Sequence, residues 1–182
     1  MGSEGILSRG WDGGNIFLLG FMGSGKTFWG KKWATVNGLY FIDLDEVIET
    51  KAQKTISEIF EASGEEHFRT LEAEALRECA GSRNTIVACG GGTPCFHDNM
   101  SWMNKHGLTI YISATPSQII QRLRSEQAKR PLLNTLDEVG LRSFIEAKLQ
   151  EREPIYTQSH RIVASNTLTE TSLPALVTMV SS

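Results

Sequence analysis

Residues 16–27 read Ile16-Phe17-Leu18-Leu19-Gly20-Phe21-Met22-Gly23-Ser24-Gly25-Lys26-Thr27. The first four form an apolar run of strand length. Gly20 to Thr27 fits G-x-x-x-x-G-K-[ST], and a helical stretch with Lys31, Lys32 and Ala34 follows. Strand, glycine loop, helix is the context in which this pattern cradles phosphate. Phosphate oxygens must come close to backbone N–H groups, and glycine leaves the room. The loop opens onto a helix N-terminus, whose free donors and dipole favour anions. Lys26 is expected to reach the β- and γ-phosphates and the Thr27 hydroxyl to ligate Mg²⁺. Gly23, Ser24, Gly25 and Phe28 are the other expected contacts of a nucleoside triphosphate.

Working outward, short apolar runs recur at 39–42, 85–89, 108–112 and 161–164, with helical patterns between them. Continuous apolar strands alternating with helices indicate an α/β domain, a parallel sheet covered on both faces. Thr55-Ile56-Ser57-Glu58 is a capping-box pattern that starts a helix ending near Gly64. A second helical pattern covers 65–80. Pro116 suits the first turn of a helix that fades by Ser125. The polar stretch at about 125–135, with Arg130-Pro131, reads as a mobile lid. Asp137 is placed to cap a long helix that ends at Glu153, because Pro154 follows. Residues 169–181 read as a C-terminal helix. Nothing divides 15–182, which read as one domain behind a flexible leader at 1–14.

Composition narrows the partners. A net charge of −3 does not suggest a nucleic acid or an anionic membrane. No apolar run is long enough to span a bilayer, and the leader lacks the apolar centre of a signal peptide. Cys79, Cys89 and Cys95 are odd in number and lack metal-ligand spacing. They read as free thiols of a cytoplasmic protein. The expected partners are small molecules, and a monomer is expected.

Asp43-Leu44-Asp45 follows the second apolar run, and ligands of open α/β sheets bind at strand C-termini. Residues two apart in a strand face the same way, so both carboxylates could aim at one cleft. One can hold Mg²⁺; the other can take a proton from an attacking hydroxyl. Gly90-Gly91-Gly92, after the third run, allows close approach of a ligand to the backbone. Arg69 and Glu72 share a helix face, a spacing that a surface ion pair also satisfies.

The glycine loop, Asp43-Leu44-Asp45, Phe68-Arg69 with Glu72, Gly90-Gly91-Gly92, Arg130-Pro131-Leu132-Leu133 and Arg152-Glu153-Pro154-Ile155-Tyr156 together resemble the shikimate kinase family, in its order and approximate spacing over residues 15–165. The resemblance implies ATP-dependent phosphorylation of the 3-hydroxyl of shikimate, on a three-layer α/β/α fold with a five-stranded sheet of order 2-3-1-4-5. By the same resemblance, Arg69 grips the substrate carboxylate, helped by Arg152 and oriented by Glu72. Asp45 and Gly90, Gly91 and Gly92 hold the ring hydroxyls, with Asp45 as base. Asp43 holds Mg²⁺ through water, and Arg130 closes from the lid onto the phosphates. Arg124 stacks on adenine, with Arg122 as the competing assignment. Lys26 and Arg130 would neutralise the transferring group.

Phe28 departs from the family, which places Ser or Thr after Thr27 to meet the α-phosphate. The loss of one hydrogen bond, about 0.5–1.5 kcal/mol, implies weaker nucleotide binding. Two other readings share the glycine loop: another small-metabolite kinase such as a gluconate kinase, and a non-catalytic nucleotide-binding module.

Overall fold

The computed structural model describes residues 13–125 and 138–178. Residues 1–12 of the expected leader, Arg130, all but the first residue of the expected lid, the expected cap Asp137 and residues 179–181 of the expected C-terminal helix lie outside them. Five strands, β1 (Asn15–Leu19), β2 (Tyr40–Asp43), β3 (Thr85–Ala88), β4 (Gly107–Ser113) and β5 (Arg161–Ala164), form one sheet. Their order is β2-β3-β1-β4-β5 and every pairing is parallel, as the resemblance implies. The helices are α1 (Lys26–Asn37), α2 (Leu44–Ala52), α3 (Ile56–Glu78), α4 (Asn99–His106), α5 (Pro116–Ser125), α6 (Glu138–Tyr156) and α7 (Leu173–Thr178).

The apolar run of β1 shows why the sheet is covered on both faces. Successive side chains of a strand point to opposite faces. Phe17 and Leu19 join Leu44, Ile48, Phe68, Leu76 and Met103, from α2, α3 and α4. Ile16 and Leu18 join Trp33 and Ala34 of α1 with Leu173 and Val177 of α7. All four strand residues are fully buried, each contributing about 1.5–3 kcal/mol of apolar burial. A third cluster, Phe21, Ile119, Ile120, Leu123, Leu141 and Ile145, fastens α5 and α6 beside the glycine loop.

Four local expectations need correction or refinement. Asp45 is not on a strand. The chain turns into α2 directly after Asp43, whose side chain caps the helix by accepting from Asp45 N–H at 3.1 Å. Asp is a strong N-cap residue, and that preference ends β2 before the alternation can reach Asp45. The capping box at Thr55 and Glu58 forms in full. The two helical patterns after it are one element, α3, broken at Gly64 (φ 77°, ψ 176°). The helix expected to end at Glu153 runs through Pro154 to Tyr156. Pro154 lies in its last turn, where little helix remains to be lost, and Thr157 N–H closes onto Glu153 O at 2.9 Å. The C-terminal helix starts at Leu173, because Thr169 and Ser172 hydrogen-bond each other (Thr169 N–H to Ser172 Oγ, 2.9 Å) and make a turn of 169–172.

Among the described residues no helix is long and apolar enough to cross a membrane. His160 joins the edge pair β4–β5: its Nδ1 accepts from Thr109 N–H at 3.2 Å, and its own N–H donates to Thr109 Oγ1 at 2.9 Å. Burial and then the neighbouring Arg161 hold its pKa below the usual histidine value. The fold therefore favours neutral His160. That contribution is complete above the unfolded-state pKa of about 6.5 and is lost as pH falls through the lower folded value. Urea midpoints should fall between pH 7 and pH 5, and fall less in His160→Asn.

Candidate active site

Parallel register puts the chemistry at one edge. Asp43 pairs with Ala88, and Ala88 with Leu18. The strand ends of β2, β3 and β1 are therefore level, and each is followed by a predicted motif. The chain leaves β1 for α1 on one face and β3 for α4 on the other. This leaves a crevice at the carboxyl ends of those strands. A cleft of about 500 Å³ fills it, lined by Met22, Gly23, Gly25, Lys26, Thr27, Phe28, Asp43, Asp45, Glu46 and Ala88 to Gly91.

The phosphate loop requires glycine most at Gly20. Its φ is 140°, and a Cβ there would lie 2.5 Å from Ile112 O and 2.9 Å from Ser24 Oγ. Ser24 is turned inward: its hydroxyl is fully buried, has no hydrogen-bond partner among the described residues, and does not line the cleft. Lys26 is nearly buried and folds back, its Nζ donating to Gly20 O at 2.8 Å and Phe21 O at 3.0 Å. The ammonium thus already lies over the loop that would hold phosphate. The Thr27 hydroxyl donates to Asp43 Oδ2 at 2.8 Å. Hydroxyl and carboxylate oxygens side by side suit Mg²⁺, which takes few protein ligands and keeps water and phosphate oxygens. Arg122 is committed to the loop from behind, donating to Gly23 O at 3.0 Å, Ser24 O at 2.8 Å and Ser165 Oγ at 3.1 Å. Arg124 is exposed. Phe28 is 58% exposed at the cleft rim, edge-on to Trp29 at 5.1 Å between ring centroids.

The triple glycine is where the other predicted residues meet. A Cβ on Gly90 would lie 2.8 Å from Glu72 Oε1 and 3.0 Å from Asp45 Oδ1. On Gly91 it would lie 3.3 Å from Arg152 Nη1, and on Gly92 2.6 Å from both Nη1 and Nη2 of Arg69. The missing side chains thus make room for the protein's own charged groups. Arg69 and Glu72 are no surface pair. Arg69 Nη1 donates to Glu72 Oε2 at 2.8 Å, and the Thr93 hydroxyl donates to Glu72 Oε1 at 2.5 Å. The two side chains are 10% and 1% exposed. Phe96 lies under the guanidinium, 4.3 Å from Cζ to ring centroid. Burial lowers the Arg69 pKa, but Glu72 and Glu65 outweigh it and hold the group above its ordinary value. Arg152 lies over Phe21 of the glycine loop at 5.6 Å, so it faces both motifs.

Three further participants had no role read from the sequence, although Tyr156 ends the run that begins at Arg152. Thr93 holds Glu72. The buried Tyr156 donates to Gly91 O from the last turn of α6, and burial raises its pKa. Glu65 accepts from Arg69 Nε at 3.2 Å and Nη2 at 2.9 Å. Another available hint was the position of Glu65, four residues before Arg69 on a helical pattern.

The family model for shikimate kinase matches residues 22–180. The chain belongs to the shikimate kinase family. It is 42% identical over 153 residues to a shikimate kinase of Bacteroides thetaiotaomicron, covering 84% of this chain and 87% of that one. A crystal structure of shikimate kinase from the same organism covers 90% of this chain and 93% of its own, with a TM-score of 0.82 at 40% identity. The structure of shikimate kinase from Acinetobacter baumannii in complex with shikimate matches at a TM-score of 0.78 and 32% identity, with 89% of each chain covered. A gluconokinase from Sinorhizobium meliloti, at 13% identity and a TM-score of 0.54 with 93% and 90% coverage, shares the fold alone. Membership makes the protein an ATP-dependent shikimate kinase.

The packing at Gly92 is directly testable. Gly92→Ala should displace the Arg69 guanidinium and cost about 1 kcal/mol. A melting temperature lower by about 2–4 °C and a displaced Arg69 in a crystal structure of the variant are the expected results.

Proposed function

We propose that the protein transfers the γ-phosphoryl group of ATP to the 3-hydroxyl of shikimate with Asp45, Arg69, Arg152, Lys26 and Arg130 in the roles the family resemblance implies. One observation carries the reading. Asp45, Arg152 and Arg69 lie against Gly90, Gly91 and Gly92 in turn, and Asp45, Gly90 and Gly91 line one cleft with Lys26 and the Thr27–Asp43 pair. A carboxylate-bearing polyol can lie between the two arginines and Asp45 with one hydroxyl toward the phosphate loop. Arg69 supplies a planar fork for the carboxylate. The backbone of the triple glycine and Asp45 meet the ring hydroxyls.

In the transfer, the substrate oxygen forms a bond to the γ-phosphorus as the bond to the β,γ-bridging oxygen breaks. The hydroxyl proton passes to Asp45, and ADP leaves with the bridging oxygen. Such reactions depend mainly on positioning and charge stabilisation. Lys26 releases Gly20 O and Phe21 O to meet phosphate oxygens, joined by Arg130. Thr27 and Asp43 would hold Mg²⁺, which supplies positive charge to the phosphates. Arg124 is assigned to adenine, since Arg122 spends its guanidinium on the carbonyls of Gly23 and Ser24. Phe28 weakens the nucleotide site without removing a reacting group.

We further infer a monomer acting in the cytoplasm on small molecules, with no nucleic acid or membrane partner. The free cysteines support a reducing compartment, and a net charge of −3 does not suggest a polyanionic partner.

A coupled assay with ATP, Mg²⁺ and shikimate tests the activity; gluconate in its place tests the rival kinase reading. Lys26→Ala should abolish turnover. Asp45→Asn should cut kcat by about 10²–10⁴ while leaving Mg²⁺-ATP binding nearly intact. Asp43→Asn should raise the Mg²⁺ needed for half-maximal rate. A reversed pattern between the two aspartates would exchange their roles. Arg69→Lys should raise KM for shikimate steeply, because an ammonium lacks the fork.

A further inference from the structure

We propose that Glu65 occupies the carboxylate subsite of Arg69 in the free protein, so that a substrate carboxylate must displace it and Glu65 sets the strength of carboxylate recognition. The inference rests on Arg69 being the carboxylate-binding residue, as read above. A guanidinium has two edges that can present two donors to a carboxylate: Nε with Nη2, and Nη1 with Nη2. Glu65 Oε1 holds the first, at 3.2 and 2.9 Å. The second is already spent on Glu72, to which Nη1 donates at 2.8 Å, and it faces Gly92. Phe96, 4.3 Å from Cζ, covers one face of the group and restrains it. The edge open to a ligand is therefore the one that Glu65 covers.

Burial decides which carboxylate yields. Glu72 is 1% exposed and is held by Thr93 as well as Arg69. Glu65 is 58% exposed, so it can turn into water, where its charge is already largely solvated. Charge points the same way. Two carboxylates face one guanidinium before substrate arrives, and a third in the same place is repelled unless one leaves. Backbone geometry supplies the pair. Helix α3 breaks at Gly64 and resumes at Glu65, one turn before Arg69. Glu65 thus stands in for the substrate carboxylate, and the population with the edge uncovered limits apparent affinity.

Calorimetric titration with shikimate, without nucleotide, tests this in the full chain. Glu65→Gln and Glu65→Ala should each lower the Kd by about two- to fivefold, the range of a largely exposed ion pair. The carboxamide analogue of shikimate, which cannot compete as an anion, should gain nothing in either variant. Binding of an ATP analogue, measured in parallel, reports that the variants are folded. Unchanged or weaker shikimate binding in both variants overturns the inference and makes Glu65 a support for Arg69. An equal gain for the carboxamide also overturns it. Failure of the wild-type protein to bind shikimate while it binds the ATP analogue instead overturns the reading of the site itself.

Discussion

A guanidinium buried beneath the triple glycine is the constraint on which this site depends. Arg69 is almost wholly removed from water, and an unpaired buried charge would cost several kcal/mol. Glu72 answers it, and Thr93 answers the other Glu72 oxygen. Each partner restricts a further residue. Gly92 must lack a side chain to admit Arg69, and Gly90 must lack one to admit Glu72 and Asp45. Tyr156 fixes Gly91 between them. Helix α3, the turn after β3 and the end of α6 are tied together through polar groups that have no other place to go. The extension of α6 through Pro154 belongs to the same scheme, since a helix stopping at Glu153 would not carry Tyr156 to Gly91.

The nucleotide half of the cleft is held differently. Its contacts are made by backbone and by residues that hold one another before any ligand arrives. Lys26 lies on loop carbonyls, Thr27 on Asp43, and Asp43 caps the helix that carries Asp45. The cap has a functional consequence. One carboxylate orients Thr27 with one oxygen and sets the start of α2 with the other, so Asp43 and Asp45 keep a fixed relation. Preorganisation of this kind lowers the reorganisation needed when charge moves in the transition state.

Much of this was legible in the sequence because the signals were local. The apolar run 16–19 is strand-like by composition, and the glycine loop by its own chemistry. The capping box at Thr55 needs only residues three apart. What failed were inferences that extended one element's periodicity past a stronger local rule. Strand alternation does not reach Asp45, because it ends at Asp43, whose side chain caps a helix. A helical pattern from 169 yields to the Thr169–Ser172 hydrogen bond, and the helix starts at Leu173. The Arg69–Glu72 spacing fits a solvated surface pair equally well. Only tertiary packing, with Phe96 and Gly92 closing over it, makes it a buried one. Likewise the triple glycine implied room for a ligand, and the structure shows that much of that room is filled by the protein's own side chains.

Arg122 and Phe28 mark where this chain's nucleotide site acquires its own character. Arg122 draws the carbonyls of Gly23 and Ser24 toward Ser165 at the end of β5. The phosphate loop is thereby anchored to the far half of the sheet as well as to β1. Helix α1 carries a row of rings, Phe28 edge-on to Trp29 and Trp29 stacked on Trp33 at 5.9 Å. Trp33 in turn donates to Thr169 O at 2.8 Å, in the turn after β5. The loop is braced on both flanks against the same C-terminal segment, by a guanidinium on one side and by aromatic packing on the other. The Phe28 ring, exposed at the cleft rim, is the outer end of that row.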